Sequence, residues 1–176
     1  MGIGAVLGIV LGCLVLLILI VLVWWYAATY HSIISSKNNA DLAFVELNNS
    51  LQLRYQELSD FALGGGKCCD SEEIKQMLQL RNMAMASATI EEQLENEEKL
   101  QKLLEKILLE CEAKKANFAA EEQENCENLR KMQDFIDKNR KFYNSMATTY
   151  NKKLESAPGK FWSKKGHFEP MSLFNI

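Results

Sequence analysis

Thiols are the first side chains in this sequence with chemistry of their own. Cys68 and Cys69 stand together after Gly64-Gly65-Gly66-Lys67, and Cys111 and Cys126 follow inside charged stretches. Adjacent thiols suit redox sensing or soft-metal capture, and the alternative is a pair of ordinary exposed cysteines. The acidic pairs Glu91-Glu92, Glu97-Glu98 and Glu121-Glu122 raise acid chemistry or a two-metal bundle. Such a bundle needs Glu-x-x-His, and the two histidines, His31 and His167, do not stand in that relation. The pairs therefore read as solvated helix faces. The sequence has no Gly-rich phosphate loop, no H-E-x-x-H, no C-x-x-C and no Ser-His-Asp set. No catalytic, cofactor-binding or metal-ligating residue is predicted, and the protein is not expected to be an enzyme.

The elements that carry these residues are helical. Two prolines in 176 residues leave too few turn signals for a sandwich or barrel. Charge is sharply partitioned, with no Asp, Glu, Lys or Arg before Lys37. Ile3 to Tyr26 are 24 residues, 16 of them Ile, Leu or Val. At ~1.5 Å per residue a helix of that length covers about 36 Å, against a hydrocarbon layer of ~30 Å. A cleaved signal peptide has a basic start and a shorter apolar core, so this run is expected to stay as a membrane anchor. Trp24, Trp25 and Tyr26, followed by Tyr30, form an aromatic belt at the interface. Gly4, Gly8 and Gly12 fall on one helix face, where a second backbone can approach closely; glycine is also simply common in membrane helices. Lys37 close after the span, and four thiols suited to a reducing compartment although they could also pair, place the bulk of the chain in the cytoplasm.

Beyond the anchor, Phe44, Leu47, Leu51, Tyr55, Leu58 and Ala62 continue a helical stripe that the glycines at 64–66 end. Ser71 is expected to cap a second helix and Thr89 a third, whose apolar face runs from Leu94 through Leu100, Leu104 and Ile107 to Cys111. A break near 115–117 leads to a fourth helix, from about 118 to 156, which Ala157-Pro158-Gly159 stops. The expected fold class is all-α: an N-terminal transmembrane helix continuing into an up-and-down antiparallel four-helix bundle. The divisions are 1–30 for the anchor, 31–157 for the bundle and 158–176 for a basic aromatic tail. In that topology the fourth helix returns toward the membrane. Residues 91–127 carry net charge −7 and residues 130–169 carry +6, so the basic end is the membrane-proximal one. Phe161, Trp162 and Phe168, interleaved with lysines, suit an interfacial segment on anionic lipid, or a tail folded onto the bundle as core plugs. With no base-stacking fold around it, the basic stretch is not expected to bind nucleic acid. If the first helix is unbroken to residue 63, Cys68-Cys69 lie about 50 Å from the bilayer, too far for palmitoylation.

Three segments resemble the LemA family of bacterial membrane-anchored helical proteins. They are Val45-Glu46-Leu47-Asn48-Asn49 with Leu53-Arg54-Tyr55, then Arg140-Lys141-Phe142-Tyr143-Asn144 with Tyr150-Asn151, and Pro158 before an aromatic tail. The resemblance implies a four-helix antiparallel bundle whose first helix continues from the membrane span, with no established enzymatic activity. Leu58-Ser59-Asp60 stands where the family has an Ile-Pro-Asn turn, so the first helix is expected to end differently. Asn48, Asn49, Asn144 and Asn151 are expected to hydrogen-bond in the seam between the first and last helices. The function expected is a single-pass scaffold or adaptor at the cell membrane, self-associating and in contact with the bilayer. The alternatives implied by the resemblance are a membrane-remodelling protein of the magnetosome type and a partner of a membrane metalloprotease.

Overall fold

A computed structural model describes residues 2–64, 69–114, 118 and 120–174, as five helices and no strand among them. They are α1 (Ile3–Gly64), α2 (Ser71–Ala86), α3 (Ile90–Lys114), α4 (Ala120–Glu155) and α5 (Ala157–Gly166). Side chains at 3, 5, 6, 7 and 9 are not described. The expected all-α class holds. The long apolar helix at the N-terminus continues without a break into the bundle's first helix.

By packing, the chain divides into two units: Met1–Ala40 with Ala147–Met171, and Asp41–Met146 with Ser172–Ile176. The second unit holds the four-helix bundle. Its core takes Ala43, Leu47, Leu51, Tyr55, Leu58 and Phe61 from α1, at the three- and four-residue spacing that keeps side chains on one helix face. Met77 and Ala84 come from α2, Leu100, Leu104, Ile107 and Cys111 from α3, and Leu129, Ile136 and Tyr143 from α4.

Caps set the element boundaries. Asp70, one residue earlier than expected, caps α2 by accepting from the Glu72 N–H at 3.1 Å, and Ser71 is the first helical residue. Both residue types cap well, and at Asp70 the carboxylate also meets the positive end of the helix dipole. Thr89 caps α3 by accepting from the Glu92 N–H at 3.2 Å, and the Glu92 carboxylate accepts from the N–H of Ala88, the residue before the cap, at 3.1 Å. The expected break near 115–117 lies outside the described residues.

In the first unit, Ile33, Tyr150 and Leu154 form a buried cluster against which Trp162, Phe168 and Met171 pack. Lys153 donates to the Ser32 carbonyl at 3.2 Å and to the Ser36 hydroxyl. The stop expected at Ala157-Pro158-Gly159 is followed at once by α5, which carries the tail as far as Gly166. Ser156 caps α5 by accepting from the Gly159 N–H at 3.1 Å, with Pro158 in the first turn. A first-turn nitrogen has no intrahelical partner, so a proline that ends one helix can equally begin the next.

Candidate functional site

A charged network lies inside the bundle unit. Arg54 of α1 and Glu97 of α3, each 1% exposed, form an ion pair, and the Tyr55 hydroxyl donates to the other Glu97 oxygen. Arg54 also reaches the side-chain oxygens of Gln101 at 3.5 Å and Gln133 of α4 at 3.4 Å, and Gln133 donates to Gln101. Taking two charges out of water is costly, and the pair is held by the hydrogen bonds around it. Burial, and then the negative charge on Glu97, push the Tyr55 hydroxyl above the ordinary phenol range, so it stays protonated and keeps donating. Three helices thus share one polar register point.

The location of Glu97 corrects the expectation of a solvated acidic face. The signal was in the spacing: Glu97 stands three residues before Leu100 and seven before Leu104, on the buried stripe of α3. Its neighbour Glu98 is half-buried and pairs with the exposed Lys102 at 2.6 Å. Between α3 and α4 the same unit has an open cavity of about 460 Å³, whose walls include Leu108, Cys111, Phe118, Cys126 and Arg130. Among the described residues, no group of three or more His, Cys, Asp or Glu side chains is disposed to hold a metal ion. Cys69 is half-buried; Cys68 lies outside the described residues.

The asparagines expected in the seam are used differently. Asn144 donates to the Phe174 carbonyl at 2.7 Å and accepts from the Phe174 N–H at 2.9 Å, within the bundle unit. Asn151 does the same to Met171, both at 2.9 Å, within the first unit. A side-chain amide carries a donor and an acceptor in one plane, which matches both polar groups of one extended residue. Each asparagine follows a tyrosine that donates to the same C-terminal segment, Tyr143 to the Ser172 carbonyl at 2.7 Å and Tyr150 to the Glu169 carbonyl at 3.1 Å. Besides Arg54 to Gln133, α1 and α4 in the bundle unit are joined by Asn139, which donates to the Ser50 hydroxyl at 3.1 Å. Asn48 is half-buried and Asn49 exposed.

In the first unit α5 brings the tail aromatics to the belt on α1. Tyr30 and Trp162 lie 4.7 Å apart between ring centroids, and Tyr26 and Phe161 5.7 Å. The Trp162 indole N–H donates to the Tyr26 carbonyl at 3.0 Å, and the Lys165 ammonium sits 5.6 Å from the Trp162 ring. Trp162 and Phe168 are half-buried in this packing, while Trp24, Trp25 and Phe161 remain exposed. Below the belt, the large apolar side chains from Val10 to Val23 are exposed, none of them covered by the fold. Helix α1 is long and apolar enough to cross a membrane. Gly4, Gly8 and Gly12 lie on it with nothing within 4 Å of where a Cβ would stand.

A model of the LemA family matches residues 63–176. The match includes Tyr143-Asn144, Tyr150-Asn151 and Pro158, and it begins after the Val45–Tyr55 segment. A search of curated proteins finds no match. With about two thirds of its length matched, the chain belongs to the LemA family.

Proposed function

We propose that the protein is a non-enzymatic, single-pass scaffold or adaptor at the cell membrane, with its helical bundle on the cytoplasmic side. The observation that carries this reading is the uncovered apolar run of α1 ending in an aromatic collar. Exposed to water, some 24 residues of this kind would be an aggregation surface; in lipid their burial is favourable. The bundle supports an adaptor role, because its buried charges are engaged in joining helices. Lys37 shortly after the span supports the cytoplasmic placement.

Self-association runs through Gly4, Gly8 and Gly12, whose strip is open for a second backbone. Cross-linking of the full chain in membranes tests this. The dimer band is expected to fall severalfold in Gly8→Ile and to persist in Val15→Ile; equal bands in both variants would remove the glycine contact from the account. A second reading, membrane remodelling, is favoured by α5, which carries Lys160, Lys164 and Lys165 beside the aromatic collar. Tubulation of reconstituted vesicles by the full chain would favour it over the adaptor.

A further inference from the structure

Three cysteines far apart in sequence come together in the bundle unit. The sulfur of Cys69 is 3.9 Å from that of Cys111, and Cys126 lies with Cys111 on the wall of one cavity. Cys69 precedes α2, Cys111 is in the last turn of α3 and Cys126 is in the second turn of α4. Cys111 is buried, and Cys69 and Cys126 are half-buried. The cavity that Cys111 and Cys126 line lies between α3 and α4, and the half-buried Cys69 keeps part of its side chain open to solvent.

We propose that this cluster is a modification site for low-molecular-weight disulfides, in which Cys69 is the attacking thiol and Cys111 the resolving thiol. Cys69 loses its proton and attacks one sulfur of the small disulfide. The old S–S bond breaks and its electron pair leaves on the other sulfur, giving a mixed disulfide on Cys69. Cys111 then attacks the Cys69 sulfur and expels the second small thiolate, and the two protons lost by the protein end on the two released thiols. The protein is oxidised by two electrons and the small disulfide is reduced by two.

Geometry assigns the roles. Cys69 stands outside any helix, so its backbone can adjust to bring sulfurs in contact to bonding distance, whereas Cys111 and Cys126 are fixed by helices. The hydrogen bond with Cys69, and then burial, keep Cys111 protonated while Cys69 is unmodified, so it does not react first. The product joins the segment before α2 to the end of α3, tying the open end of the α2–α3 hairpin.

The test uses the full chain in detergent with Cys13→Ser and Cys68→Ser, leaving three thiols, treated with oxidised glutathione. The expected result is a mass lower by two hydrogens, with no adduct retained, and a peptide map joining Cys69 to Cys111. The melting temperature rises by roughly 5–10 °C. Cys111→Ala is expected to stop at the mixed disulfide on Cys69, and Cys126→Ala to form the same disulfide as the parent. Circular dichroism checks that each variant is folded. A retained adduct in the folded parent, a Cys111–Cys126 linkage, or no oxidation would each overturn the proposal.

Discussion

Glu97 shows what one position contributes. Replacing it with Ala leaves the Arg54 guanidinium buried without its counter-charge, and the expected loss is about 3–5 kcal/mol of unfolding free energy by denaturant titration in detergent. Replacing both partners, Arg54→Met with Glu97→Leu, is expected to recover most of that loss, because the desolvation cost of both charges disappears together. Tyr55 makes a pH prediction of definite sign. Its folded-state pKa is raised above the ordinary 10.0, so its contribution is complete below pH 10 and is lost as pH rises further. Stability of the wild type should therefore decline above about pH 10, and Tyr55→Phe should show a shallower decline over the same range. At this scale the sequence was only partly legible. Arg54 and Tyr55 stood out as part of a resembling segment, but Glu97 was read as solvated because its charge was weighed above its register. Asn144 and Asn151 were recognised as hydrogen-bonding residues, but their partners are in the extended C-terminal segment, whose lack of periodicity gives no signal of where it docks.

Helix α5 carries the prediction at the scale of elements. A Cβ at Gly159 would stand 1.8 Å from the Lys153 carbonyl oxygen, a contact that the corner between α4 and α5 cannot absorb. Gly159→Ala is expected to open that corner and cost about 1–3 kcal/mol, read as faster hydrogen exchange across residues 157–166. Ser156→Ala removes the cap alone and should cost about 1 kcal/mol with the same pattern. Unchanged exchange in Gly159→Ala would mean that the corner is not as tight as the geometry says. Helices α1 to α4 were legible because apolar residues recur at three and four, and because Thr89 is a recognisable cap. Helix α5 was missed for a specific reason: Pro158 ends a helix or begins one depending on whether a cap stands just before it, and Ser156, two residues earlier, makes it a beginning.

For the whole molecule, the long apolar N-terminal helix was legible from the first two dozen residues, since length and the absence of charge decide what can span a bilayer. Side of the membrane is a different matter. Cysteine usage suits a reducing compartment, although the four thiols beyond the span can also pair. Once Cys69, Cys111 and Cys126 converge, that usage fits either compartment, and the placement rests on Lys37. The central claim is that the uncovered apolar run of α1 lies in lipid. Alkaline carbonate extraction of membranes carrying the full chain tests it most directly, with the double variant Leu17→Arg/Ile18→Arg beside it. Two arginines at the middle of the span add roughly 5–7 kcal/mol to insertion. The account predicts that the wild type stays in the membrane pellet and the double variant moves to the supernatant. Release of the wild type by carbonate would contradict it.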